Sequence, residues 1–82
     1  MSNKEKYIAA FKKVFPLKDN NKLAELKYQD ILEWDSVGHM ELITELEDAF
    51  DIEFETDDII DFSSFKKGIE ILADNYGIKI ND

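Results

Sequence analysis

Apolar residues recur three and four positions apart along three stretches of this chain, the spacing that one face of an α-helix requires. The first stretch runs from about Asn3 to Phe15 and puts Tyr7, Ile8, Phe11, Val14 and Phe15 on one face. Ser2 and Glu5 have the spacing of a capping box at its start. Pro16 ends it, because the residue before a proline avoids the α region. The second stretch begins at Asp35 or Ser36, either of which can cap it, and continues to about Phe50. Its stripe is Val37, Met40, Ile43, Leu46 and Phe50, widened by Leu42 and Ala49. The last is capped by Ser63 or Ser64 and carries Phe65, Ile69, Leu72 and Tyr76. Gly77 fits the left-handed position that ends many helices, with Ile78 supplying the accompanying apolar contact.

Between the second and last stretches, Thr56 is placed to cap a short helix with Asp57 and Asp58 in its first turn, where the helix dipole favours anions. Ile59, Ile60 and Phe62 are expected to face inward. Residues 16–35 form a long connection. It opens with the turn-rich run KDNNK and then carries Leu23, Leu26, Tyr28, Ile31, Leu32 and Trp34. A loop of this length in a small domain is expected to pack or to function. Its apolar residues predict packing across the helices, with room for a short helical turn. The expected fold is all-α: a small bundle of three main helices and a short one, in a single domain over residues 1–82.

Apolar residues make up 44% of the chain, which argues against intrinsic disorder. The absence of cysteine removes disulfides, thiolate metal sites and a cysteine nucleophile, and fits a reducing cytosol. The segment MSNKEKYIAAFKKVF lacks the apolar run of a signal peptide, and no stretch approaches the roughly 20 apolar residues of a membrane span. A cytoplasmic monomer is expected. The net charge of −9 is concentrated in residues 33–61, which hold twelve acids and no lysine or arginine. Such a segment repels nucleic acid and anionic lipid and attracts basic protein surfaces. Glu41, Glu45 and Asp48 line one face of the second helix, where each close pair of like charges costs a few tenths of a kcal/mol.

The segment that bears on chemistry is Trp34-Asp35-Ser36-Val37-Gly38-His39-Met40-Glu41-Leu42-Ile43. A serine at a helix N-terminus after a long loop exposes its hydroxyl among unpaired N–H groups that favour a phosphate. Plain helix capping is the alternative role for such a serine. Asp-Ser, an apolar residue and then an acidic amphipathic helix is similar to the phosphopantetheine attachment motif of acyl carrier proteins. The resemblance covers nearly the whole chain: its length, the long first loop, the short third helix, the last apolar helix, and EDAFDIEF after the second helix.

The resemblance implies that Ser36 receives 4′-phosphopantetheine from coenzyme A through a separate phosphopantetheinyl transferase. The thiol of that arm holds acyl groups as thioesters, so the protein needs no cysteine. A carrier of this kind catalyses no step; it raises the effective concentration of a tethered substrate. Docking on basic patches of partner enzymes, an acyl-loading ligase or acyltransferase and downstream synthases, falls to Asp35, Glu41, Glu47 and Asp48. Glu45 is a further candidate, and Val37 and Met40 match apolar contact positions. Ile43, Leu46, Phe50, Phe54, Ile59, Phe62, Phe65, Ile69 and Leu72 are most simply core. In the family the matching region shelters an acyl chain, though bulky Phe62 and Phe65 disfavour a long one.

The sequence also departs from the pattern. Val37 stands where leucine is commonest, and Gly38 where many fatty-acid carriers have an acid. Glycine in a first helical turn costs up to about 1 kcal/mol, and close backbone approach by a partner is the expected return. With Trp34 and His39, the missing acid points to a specialised pathway rather than housekeeping fatty-acid synthesis. His39 lies one turn from Ser36, but a Ser–His catalytic pair also needs an orienting acid and an oxyanion hole, so a surface or rim position is expected. Residues 51–61 contain no glycine, which rejects an EF-hand; no specific metal site is expected, and loose low-affinity binding of divalent cations that relieves repulsion among the acids is the alternative left open. The rival readings are an aminoacyl or peptidyl carrier, and an unmodified acidic interaction module in which Ser36 only caps a helix. An enzyme is least supported, for want of a nucleophile–base set, a ligand cluster or a phosphate-binding loop.

Overall fold

Serine at position 2 and glutamate at position 5 start the first helix as their spacing requires. In the computed structural model, which describes residues 2–16 and 20–80 and the side chains of all but 20–22, α1 spans Asn3–Val14. Glu5 N donates to Ser2 Oγ at 3.1 Å, and Ser2 N donates to Glu5 Oε1 at 2.9 Å. Those bonds, the one from the Ser2 backbone foremost, hold the Glu5 carboxyl below the usual carboxylate range. Phe15 leaves the helix in an extended conformation ahead of Pro16. The buried face is Tyr7, Ala10, Phe11 and Phe15; Ile8 and Val14 lie at its half-buried margin. Ala10 therefore replaces them in the expected stripe, because the three rings at 7, 11 and 15 set the centre of the face and Ala10 lies beside it.

The connection contains a 3₁₀ helix at Asn20–Glu25, the expected helical turn. Lys18 and Asp19 of the KDNNK run lie outside the described residues. The connection packs across the helices through Trp34, which is fully buried with its ring 5.5 Å from Phe11 and 5.3 Å from Phe15. It is also stitched to the segment before the last helix: Tyr28 N donates to Ser63 O and Phe65 N to Leu26 O, each at 2.9 Å. This leaves an isolated antiparallel bridge, Lys27–Ser64, and no strand among the described residues.

Helix α2 spans Ser36–Phe50 and buries Gly38, Leu42, Ile43 and Leu46. Val37 and Met40 are 67% and 50% exposed. The stripe expected from 37 through 40 is thus corrected: the loop crosses at Gly38, so the buried face runs 38, 42, 46 and turns 37 and 40 outward. Asp51 ends the helix in a left-handed conformation (φ 55°). Glu47 steadies the exit, its Oε2 accepting from Phe54 N at 2.8 Å.

Helix α3 spans Thr56–Asp61. Thr56 is its first helical residue, not its cap; Glu55 takes the cap position and makes no side-chain cap bond. Phe62 is buried and Ile59 half-buried, but Ile60 is 72% exposed, because consecutive helical residues point about 100° apart. Asp58 is buried and joins α3 to the last helix, accepting from Asn75 Nδ2 and from the Tyr76 hydroxyl, each at 2.7 Å. The Tyr76 oxygen in turn accepts from Glu55 N at 2.7 Å.

Helix α4 spans Phe65–Tyr76, capped by Ser64, whose Oγ accepts from Lys67 N at 2.9 Å. It buries Phe65, Gly68, Ile71 and Leu72; Ile69 is only half-buried, and Ile71 takes its place in the stripe. Gly77 adopts the left-handed conformation expected of it (φ 68°), and Ile78 N bonds back to Leu72 O at 2.9 Å. The Tyr7 hydroxyl crosses the core to donate to Phe65 O at 2.7 Å, and its burial pushes its pKa well above the ordinary tyrosine value. The described residues form a small bundle of four α-helices. Among the described residues no helix is long and apolar enough to cross a membrane.

Candidate functional site

Asp35, not Ser36, caps α2. Its backbone is extended, and its Oδ1 accepts from Gly38 N at 2.9 Å while its carbonyl accepts from His39 N at 2.8 Å. Ser36 is the first helical residue, exposed, with Oγ 3.4 Å from the Tyr28 hydroxyl, at the long end of hydrogen-bonding range. The first turn of any helix presents N–H groups without intrahelical partners, so Ser36 Oγ sits at the positive end of a helix of 15 residues.

Gly38 makes this geometry. A Cβ at Gly38 would run into the backbone carbonyl oxygen of Glu33. The close approach expected there is therefore made by the chain's own loop, which presses Glu33 and Trp34 against the first turn of α2. No external partner is needed to explain the glycine.

His39 is half-buried, and each ring nitrogen has a partner. Trp34 Nε1 donates to Nδ1 at 3.0 Å, and Nε2 lies 2.8 Å from Ile59 O. An Nδ1 that accepts carries no proton, so Nε2 holds it and donates to the carbonyl. His39 therefore sits at the rim, as expected, and from there ties loop, α2 and α3 together rather than turning toward Ser36. Its ring stacks near that of Trp34 at 6.3 Å and meets Tyr28 edge-on at 5.4 Å. Trp34 and Tyr28 complete this wall behind the serine. The sequence holds one trace of it: an indole five residues ahead of an imidazole, a spacing that spans a helix start.

The remaining expected site residues divide. Val37 and Met40 stand exposed beside Ser36 on the wall of an open groove of about 650 Å³, which Lys13 and Val14 of α1 face from the other side. Glu41 and Asp48 are exposed on α2. Asp35 is exposed and committed to the cap. Glu45 is half-buried and paired with Lys13 at 3.3 Å, and half-buried Glu47 holds the Phe54 amide. Five expected acids are thus present, but three of them also do internal work.

Of the residues expected to shelter a chain, Ile43, Leu46, Phe54, Phe62 and Phe65 are buried, while Phe50, Ile59 and Ile69 form the margin. Their rings fill the interior against one another: Phe54 and Phe62 are 6.1 Å apart, and Phe11 lies 5.0 Å from Phe65 and 6.4 Å from Phe62. Beside them, a surface recess of about 260 Å³ is lined by Tyr28, His39, Ile59, Ile60, Phe62 and Ser63.

Comparison with models of protein families, with curated proteins and with solved structures finds no match to this chain.

Proposed function

We propose that this chain is a cytoplasmic acyl carrier protein whose Ser36 bears a 4′-phosphopantetheine arm. The observation that carries the reading is the division of labour at the start of α2. Asp35 does the capping, and Ser36 Oγ is left exposed at the helix N-terminus. A serine that served only as a cap would hold the Gly38 amide itself. The bundle supports the reading in outline, with its long first loop and short third helix.

The residues present suit the group. Ser36 offers a hydroxyl at the surface, the first turn of α2 offers a field that favours a phosphodiester, and Val37 and Met40 flank it with apolar surface. The arm supplies a thiol on which acyl groups are held as thioesters. Trp34, His39 and Gly38 fix the loop so that Ser36 is presented in one orientation to a phosphopantetheinyl transferase. Glu41 and Asp48, exposed on α2 and carrying no internal bond described above, are the acids best placed to meet a basic partner such as a loading ligase or a synthase. Electrostatic complementarity of that kind acts mainly on encounter rate. The chain performs no catalysis of its own in this reading. A specialised pathway suits the departures at Gly38 and His39, and an aminoacyl cargo would use the same serine.

The test is intact-protein mass after incubation with coenzyme A, magnesium and a broad-specificity phosphopantetheinyl transferase, beside Ser36→Ala. A gain of one phosphopantetheine that vanishes in the variant supports the carrier. A folded, initially unmodified protein that gains nothing from several transferases overturns it in favour of an acidic interaction module.

A further inference from the structure

Two recesses lie along the seam between α1 and α2. The groove of about 650 Å³ begins at Ser36 and is walled by Val14, Val37, Met40 and Thr44. A second recess of about 300 Å³ lies further along the same seam, where the small side chains of Ala9, Ala10 and Ala49 leave room. The two share Lys13 and Glu45, whose ion pair crosses between them.

We infer that this α1–α2 groove is the resting site of the phosphopantetheine arm on Ser36. The inference rests on the carrier reading and adds where the arm lies. Three observations carry it. Ser36 itself lines the mouth, so the arm is present there at the millimolar effective concentration of a short flexible tether. Contacts too weak to hold a free ligand below millimolar concentrations then suffice to keep it in place. The groove is lined by both apolar residues (Val14, Val37, Met40) and polar ones (Lys13, Glu41, Thr44, Glu45), which suits an arm that combines a branched hydrocarbon with amides. Finally, the seam follows α2 from Ser36 to Ala49, about 20 Å at the helical rise of 1.5 Å per residue, so it offers a track rather than a point contact.

The Lys13–Glu45 pair is a bar across this track. The lysine is 71% exposed, and ion pairs at such positions contribute little, so an entering arm displaces it easily.

The experiment loads the protein with coenzyme A labelled with ¹³C and ¹⁵N in its pantetheine portion, confirms the mass gain, and records isotope-filtered NOE spectra. Contacts from the arm's geminal methyls to Val14, Val37 and Met40 are expected. They should be lost in Thr44→Trp, which fills the groove, with the arm amides then relaxing as a free chain and the helical CD spectrum retained. A mass gain with contacts to Ile59 and Phe62 instead, or with a freely relaxing arm in the unaltered protein, overturns the groove and leaves the carrier standing. No mass gain on Ser36 overturns both.

Discussion

The Trp34 indole donates to His39 Nδ1 across 3.0 Å, which commits the His39 proton to Nε2 and so to the Ile59 carbonyl at 2.8 Å. One imidazole thereby joins the loop, α2 and α3. Removing it in His39→Ala leaves a buried indole N–H without its acceptor, at about 1–3 kcal/mol. A lowered urea midpoint and faster amide exchange in α3 are expected. Long-range ¹H–¹⁵N spectra of the unaltered protein should show the Nε2–H tautomer; the opposite tautomer would refute this arrangement.

Gly38→Ala sets two effects against each other. Helix propensity favours alanine by up to about 1 kcal/mol. The added methyl collides with the Glu33 carbonyl, and forced shifts of this kind cost about 1–3 kcal/mol. The collision wins, so the variant should melt at a lower temperature than the parent. A rise in melting temperature would mean that the loop does not press on α2 as described.

The Asp58 carboxylate binds Asn75 and Tyr76 together. Asp58→Ala and Tyr76→Phe should each loosen α3 from α4. A double-mutant cycle should return a coupling of about 1 kcal/mol, as for residues in one hydrogen-bonded network. Strictly additive effects would show that the pair is not linked in solution.

High pH should weaken the fold through its tyrosines. Burial raises the pKa of Tyr7 well above its ordinary value and also, chiefly by desolvation, that of Tyr76. Unfolded tyrosines lose their protons first, near pH 10, so above that point the unfolded chain binds fewer protons and stability falls as pH rises. Below it the contribution is complete. Tyr7→Phe should be less stable than the parent at neutral pH, and the difference should shrink above about pH 10. A gap that stays constant with pH would place the Tyr7 hydroxyl in water.

Helix positions were readable because they depend on neighbours in the chain. The Ser2–Glu5 box, the Ser64 cap and the left-handed Gly77 are all local patterns. Phase was harder. Ile59 and Ile60 are chemically identical, and only the direction from which α3 is approached decides that one packs and the other faces water. Val37 and Met40 continue the apolar stripe of α2 on paper, yet the loop lands one residue further on and turns them out. That landing depends on Trp34 meeting Phe11 and Phe15, residues about 20 positions away, which no local pattern encodes. For the same reason the propensity cost of glycine at position 38 was visible while the reason for it, the nearby Glu33 carbonyl, was not. The choice between Asp35 and Ser36 as cap also needed the backbone, since both side chains suit it equally.

The pair of hydrogen bonds between Leu26–Tyr28 and Ser63–Phe65 spans nearly half the chain. Helices assemble quickly from local contacts, but closing so wide a loop demands an entropic penalty before any of its contacts form. That closure, with the wider one from Tyr7 to Phe65, should therefore weigh on the rate at which this protein folds. Substitutions at Leu26 or Phe65 would slow folding more than equally destabilising changes at the Ser2 cap of α1.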